Sequence, residues 1–525
     1  MASFKRVSLI LLTSCAAAAL SGCGASDIAS PGEGVIVVPA PTPAPAPTPT
    51  PTPTAPVLVT PAAACPAIPG PDQLINAGTI SGPTGEYRNC AFPARFTANT
   101  QIARTTGVIY SLPGRVDVGT DQGAASTTNN VTLTIDPGVV IFGATGVSFL
   151  AVNRGNRIDA VGTPARPIIF TGRGNVTGAA TDDTSQLWGG VVLLGRAPIT
   201  DCTVAPLATP GTVACERDTE GTSNALYGGA QPADNSGRMQ YVQIRYSGFI
   251  LSAASELQGL TPSGVGSATV LDHIQVHNSS DDGIEIFGGT PNLKYLVLTG
   301  NEDDNLDTDV GYKGFIQFVI AAQRTGLGDA MIEADSDNTL EENTPRQNTR
   351  LANFTFIQRS TTGADLAAIL LRGSTDYTMV NGVVVSPNFA CLRISRANTL
   401  RAASADPTLD EVGPPVFNSI NMQCAAAPFL GAAPVTAAQV QTAFDAGTNN
   451  SSTYTPSLTS GFINGATETA RPAFAAATLG SFFVSPGYVG AVKDAADTWY
   501  AGWTCNSSTL NFGATSQACT TLPTG

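Results

Sequence analysis

HNSSDDGIEIFGG (His277–Gly289) and TGNEDDNLDTD (Thr299–Asp309) come into register when one is laid under the other at an offset of 22 residues. Ile274 then falls over Leu296, Val276 over Leu298, Asp281 over Asp303, Asp282 over Asp304, Ile284 over Leu306 and Glu285 over Asp307. A second step of the same length sets Phe318 over Leu296 and Ile320 over Leu298. Apolar and polar residues alternate within each run, the period of a strand with one buried face. A strand period nested in a repeat of this length is the signature of a parallel β-solenoid, each coil stacked on the last. The acidic positions then lie above one another at the strand spacing of about 4.8 Å.

The coils before and after are looser. Val131–Phe142 is two alternating runs broken by Asp136-Pro137-Gly138, a turn that pairs a fixed φ with a permissive one. Trp188–Ile199, Met239–Phe249, Val270–His277, Asn353–Arg359, Ala367–Ser374, Tyr377–Val385 and Val416–Met422 carry the same alternation. It lapses between Thr200 and Asn235, which reads as an insertion pinned by Cys202 and Cys215. A short helix is expected within residues 432–447, and the tail from Gly461 is expected to cap the last coil, since an open solenoid end invites aggregation.

Charged residues make up only 13% of the 525, and Gly (54) is abundant, which suits a β-rich exported chain. Removing Lys5 and Arg6 with the leader leaves 24 basic against 40 acidic residues and takes the formal charge from −14 to −16. Such a surface argues against nucleic acid and anionic lipid as partners and for cations or neutral ligands. Of ten cysteines, Cys15 and Cys23 belong to the leader. The others fall in local pairs, Cys65/Cys90, Cys202/Cys215, Cys391/Cys424 and Cys505/Cys519, expected as disulfides with other connectivities open.

The N-terminus reads as targeting. Lys5 and Arg6 precede an apolar run, Val7–Leu20, that is too short to span a bilayer. Leu20-Ser21-Gly22-Cys23 resembles the lipobox of bacterial lipoproteins. The resemblance implies cleavage after residue 22 and acylation of Cys23, a membrane anchor. Gly24 in place of Asp points by the same resemblance to the outer membrane, with the cell surface as destination. The 18 residues Pro39–Pro56 alternate Pro with Ala and Thr, a polyproline stalk reaching roughly 55 Å. The expected layout is a signal peptide over 1–22, a lipidated stalk over 23–64, a β-helix over 65–430, and an irregular region over 431–525 that packs on or caps it.

The succession WGGVVLLGRAPI, YVQIRYSGF, ELQGL, SSDDGIEIFGG, GNEDDNLDTDVGYKG and MIEADS over Trp188–Ser336 resembles a family of right-handed parallel β-helix proteins with pectate-lyase-like architecture. These are secreted or surface lipoproteins of Gram-negative bacteria. The match thins towards the C-terminus, to LLRGS and Asn381–Val385. The resemblance implies an all-β solenoid and an exported location. It brings no reaction with it, because the family is largely without an assigned activity.

Inward positions are expected to be Ile274, Val276, Ile284, Ile286, Leu296, Leu298, Leu306, Phe318, Ile320 and Ile332. Their partners should face solvent in columns: Glu285, Asp307 and Glu333; Asp309 and Asp335; Asp281 over Asp303; Asp282 over Asp304. From Asp272 to Asp309 there are nine acidic residues and one basic, Lys294. Carboxylates about 5 Å apart repel by roughly 1 kcal/mol in water and more where solvent is excluded. Raised pKa values, backbone hydrogen bonds or a bound cation would answer that repulsion. An oxygen-only donor set on flexible turns favours Ca2+. Parallel β-helices also include polysaccharide lyases and inverting hydrolases, so Asp282 and Asp304 are catalytic candidates, with Lys313 as a base. DDGIEI resembles the paired-Asp segment of polygalacturonases, but both histidines lie upstream and no GHG follows.

A second candidate surface is the outward face bearing Tyr241, Gln243 and Arg245 on one coil, His273, Gln275 and His277 on the next, and Tyr295 beyond. An aromatic column beside an amide column suits sugars, and ordinary stacking between coils is the simpler explanation. The reading is a binding or structural module for polysaccharide or another envelope component. The alternative is a Ca2+-assisted lyase or hydrolase.

Overall fold

Alternating runs build strands here because each has a face to bury, and two such runs per repeat wind the chain into a coil. In the computed structural model, which describes residues 58–524 apart from 253–254, 337–338 and 363–366, successive strands go by turns to two long sheets. Gly237–Arg245, Val270–His277, Asn292–Thr299, Phe315–Ala322, Asn348–Ile357 and Asp376–Ser386 are neighbours in the first, fifteen-stranded sheet. Leu260–Ser263, Ile284–Phe287, Leu306–Asp309, Ile332–Ala334 and Ala367–Leu371 are neighbours in the second, eleven-stranded one. The ladders between these strands are all parallel, which makes the body a parallel β-helix. Its interior is one apolar column from Phe92 and Phe96 through Ile274, Ile284 and Leu306 to Phe417 and Phe429. Signal peptide, Cys23 and the Pro39–Pro56 stretch lie outside the described residues, whereas 58–64, expected in the stalk, already pack on the body, Val59 donating to the Thr84 carbonyl (2.9 Å) and Ala62 to that of Gly107 (3.1 Å). The four disulfides join the expected neighbours, Cys65–Cys90, Cys202–Cys215, Cys391–Cys424 and Cys505–Cys519.

In the first sheet one residue per coil drops out of the pairing and turns left-handed: Tyr241 (φ 53°), His273 (53°), Tyr295 (58°), Phe318 (63°), Asn353 (55°), Asn381 (58°) and Ser419 (57°). A bulky residue in that region costs roughly 1–2 kcal/mol. Ring stacking offsets a similar amount, roughly 0.5–1.5 kcal/mol per pair. His273 lies 4.4 Å from both Tyr241 and Tyr295, and Phe318 lies 4.9 Å from Tyr295 at an interplanar angle of 3°.

This column corrects one expected register. Leu296 pairs with Val319, not Phe318, and Leu298 with Ala321, because this coil is 23 residues long. Val319 and Ala321 therefore point into the core, while Phe318 joins the ring stack and Ile320 packs outward against Phe462 and Trp503.

The tail packs on the solenoid but does not cap its last coil. The last coil is covered by the helix Ala437–Asp445, capped by Thr436 and Gln439, whose Phe444 packs 5.8 Å from Phe417 and 5.3 Å from Phe429. Residues beyond 461 instead run back along the outer face of the first sheet. That face carries a column of amide side chains, and buried amides need partners. The tail backbone supplies them: Gln243 donates to the Trp503 carbonyl (2.5 Å), Gln317 to Val484 (2.7 Å), Asn353 to Tyr488 (2.9 Å) and Asn381 to Phe474 (3.0 Å). Gln275 makes a matched pair, donating to the Cys505 carbonyl (3.1 Å) and accepting from its N–H (2.7 Å). Gln275→Leu strips Cys505 of both partners, and leaving such groups unpaired costs about 2–4 kcal/mol. Denaturant unfolding of the full chain is expected to show that loss, with faster proteolysis beyond residue 461. An unchanged midpoint would mean that docking does not depend on this clamp.

Candidate functional site

Asp-Asp-Gly at residues 281–283 ends one turn and sets the next strand of the second sheet. Position 283 has to be glycine, since a Cβ there would meet the Asn305 carbonyl at 2.5 Å and the Asn301 amide at 2.4 Å. That close approach brings consecutive turns together: Asp304 N–H donates to Asp282 Oδ1 (2.8 Å), and Ala330 N–H to Asp304 Oδ1 (2.5 Å). In the strands that follow, Ile284 pairs with Leu306 and Glu285 with Asp307, and Asp307 pairs in turn with Glu333. Asp307 and Asp309 each accept from the next backbone N–H, at 2.5 and 2.6 Å.

These carboxylates do not face open solvent. Asp281, Asp282, Glu285 and Asp304 are buried, Asp307, Asp309, Glu333 and Asp335 are half-buried, and only Asp303 is exposed. The cover is the disulfide-pinned insertion and the hairpin after it. Tyr227 lies 6.1 Å from Phe287, the Arg217 guanidinium sits 5.8 Å over the same ring, and Thr219 donates to Ser263 (3.0 Å). The cover adds acid: Glu220 and Glu256 both bear on Asp281. Neither was legible in the sequence, because nothing local says where an insertion folds back.

Burial and mutual repulsion raise every one of the buried groups. Asp281 is pushed up to about 8, by burial first and then by the charges of Glu256, Asp303 and Glu220. Asp282, Glu285, Asp304 and Asp307 are held well above the usual carboxylate range, with burial leading and neighbouring carboxylates adding to it. Asp309 rises to about 7 through burial and Asp335. Among the described residues the cations nearest the ladder are Arg372, which bears on Asp304 and Asp307, and Arg217, which bears on Asp309. Arg372 pairs with Glu333 and Asp335, while Arg217 pairs with Asp201. Among the described residues no ion pair reaches Asp281, Asp282, Glu285, Asp304 or Asp307. Two groups of ligand atoms lie within 4.8 Å of one another, Asp281/Asp282/Asp303 and Asp282/Glu285/Asp307, with Asp282 common to both.

The structure does not bring Lys313 to Asp282 and Asp304. Its ammonium pairs with Asp410. Arg245 is buried beneath the C-terminal segment, where it donates to the carbonyls of Cys519 (2.7 Å) and Thr521 (2.8 Å).

The aromatic and amide face is likewise less open than its alternation implies. Gln275 and His277 are fully buried, and His277 Nδ1 meets Thr299 Oγ1 at 3.0 Å. Burial and the charges of Arg245 and Arg324 push His277 down to about 3, so it stays neutral. Tyr295 lies against Trp499 (5.2 Å) and Phe318, its ring spent on packing. Tyr241, Gln243, Arg245 and His273 still border a cavity, which Trp499 and Trp503 complete from the tail. Those two tryptophans carry no local signal of where the tail docks.

The family model of the pectate-lyase-like β-helix domain matches residues 118–504, and the chain belongs to that family. No curated protein and no solved structure matches the chain.

A carboxyl whose folded pKa stands above its ordinary value binds more protons folded than unfolded, so stability falls as pH rises between the two values. With Asp281 shifted from 3.8 to about 8 and Asp309 from 3.8 to about 7, the chelated protein should lose stability steadily from pH 4 to 8. Asp282→Asn keeps the acceptor for Asp304 N–H and removes the shared charge. It is expected to raise metal-free stability at pH 8 by about 1–3 kcal/mol, the repulsion of one close pair. Urea titrations at several pH values in chelator measure both, and a flat profile would contradict them.

Proposed function

We propose that the chain is a cation-dependent polysaccharide-binding module of the cell envelope. The observation that carries this reading is the pair of overlapping carboxylate groups built on Asp282, inside a ladder whose buried members form no ion pair among the described residues. Oxygen donors from two turns and two strands, at variable depth, suit Ca2+ better than the stricter octahedron of Mg2+. An ion held by Asp281, Asp282 and Asp303 near the exposed rim keeps coordination sites for sugar hydroxyls or carboxylates. The pectate-lyase-like domain supports a polysaccharide-related role, though architecture by itself carries no activity. The Cys23 lipobox and the Pro39–Pro56 stalk support an outer-membrane anchor that holds the module off the surface.

Binding ranks above catalysis on the same geometry. A lyase or hydrolase using Asp282 and Asp304 needs a base or a second carboxyl set apart by a water. Here one residue's backbone donates to the other's side chain, and Lys313 is held on Asp410.

Calcium added to the chelated head at pH 8 should raise its melting temperature, with stabilisation of about 2.7 kcal/mol at a hundred times Kd. The gain should shrink as pH falls below about 8, the value to which Asp281 is raised, because protons compete, and Asp282→Asn should abolish most of it. Retention on immobilised polysaccharide should follow calcium in the same way. An unchanged melt at millimolar calcium would sink the reading, and turnover lost in Asp304→Asn with the fold intact would replace it with the enzymatic one.

A further inference from the structure

The first sheet bears a second site, on a different face from the carboxylates. Between its outer surface and the C-terminal segment lies a cavity of about 790 Å3. Small-ligand sites typically enclose about 300–1,000 Å3. Tyr241 and His273 form one wall, and Trp499 and Trp503 the other. Trp503 stands edge-on to His273 at 5.4 Å and to Tyr241 at 6.2 Å.

The walls are fixed before any ligand arrives. Trp499 Nε1 donates to the Ala491 carbonyl (3.0 Å) and Trp503 Nε1 to the Trp499 carbonyl (2.7 Å). The clamp of Gln275 on Cys505 and the Cys505–Cys519 disulfide hold the segment that carries the tryptophans. Such preorganisation lowers the ordering cost of binding.

The lining has the opposite charge character to the ladder. In a chain of formal charge −14, it includes no Asp or Glu but two arginines, Arg166 and Arg245. Arg245 is buried on the floor with no carboxylate partner, held by Gln243 Oε1 (2.7 Å) and two tail carbonyls. Arg166 is exposed at the rim, and among the described residues its guanidinium has no ion pair. The Tyr241 hydroxyl makes no hydrogen bond among the described residues, and Gln517 and Thr515 add polar groups at the mouth. Two acids near the lining are already engaged, Asp272 with His273 Nδ1 and Asp497 with the Tyr488 hydroxyl (3.0 Å) and the Lys493 N–H (2.9 Å).

We propose that this cavity binds a sugar ring carrying a carboxylate, its apolar face against Tyr241 and Trp499 and its carboxylate on Arg166. Aromatic walls favour a ring with a C–H face, and the planar guanidinium matches a carboxylate in two-point geometry. The site uses no metal and stands apart from the carboxylate ladder.

Two of the three tryptophans line the cavity, while Trp188 lies in the main core, so intrinsic fluorescence reports on it directly. The full chain, held in chelator so that the ladder is silent, is titrated with paired trisaccharides that differ only in a C6 carboxylate against a C6 hydroxymethyl group. Galacturonate with galactose and glucuronate with glucose make two such pairs. The acidic member of at least one pair should quench fluorescence and bind tenfold or more tighter than its neutral partner. Arg166→Gln, an exposed substitution that leaves the core untouched, should cut that preference below threefold. Silence with every acidic trisaccharide, equal affinity for both members of each pair, or an unaltered preference in Arg166→Gln would overturn the proposal. None of these results depends on whether calcium binds the ladder.

Discussion

In a parallel coil each side chain meets its counterpart one turn later at a strand spacing of about 4.8 Å, and the backbone pairing gives it no freedom to slide away. Whatever a position carries is thereby multiplied into a column. Apolar columns through Ile274, Leu296 and Val319 close the interior. An aromatic column from Tyr241 to Phe318 compensates the left-handed residues that bend the first sheet. A carboxylate column through Glu285, Asp307 and Glu333 accumulates repulsion, and among the described residues only its Glu333 end forms an ion pair, with Arg372.

The two outward faces resolve their polar columns in different ways. Amides are donors and acceptors at once, so the Gln243, Gln275, Gln317 and Asn353 positions on the first sheet bind the backbone of the chain's own C-terminal segment. Carboxylates only accept when ionised, and one backbone N–H each does not neutralise them. The second sheet therefore keeps an unbalanced charge beneath the insertion that covers it. One face is finished by the protein itself. The other calls for protons or a cation.

Segregation of charge follows from the same division. The tail brings tryptophans and backbone carbonyls to the first sheet but no acids to the cavity lining, where the charged residues are Arg166 and Arg245. The insertion brings Glu220 and Glu256 to a ladder that is already acidic. The molecule thus carries a cationic, aromatic cavity and a covered anionic ladder on separate sheets.

The solenoid, its coil length near 22 residues, the four cysteine pairs and the stacking of Glu285 on Asp307 were all legible in the amino-acid order, because each is a matter of local period or local spacing. The reading of Phe318 and Ile320 as inward failed at a one-residue change in coil length, where a period of two sends the side chains of that strand to the opposite face. Alternation identifies which residues leave the core but not what covers them. Burial of Asp282 and Asp304, withdrawal of Gln275 and His277 from solvent, removal of Lys313 to Asp410 and assembly of the tryptophan wall all depend on segments distant in sequence. Those contacts join residues as far apart as Arg245 and Thr521, a separation over which no periodicity carries information, so only the folded chain decides them.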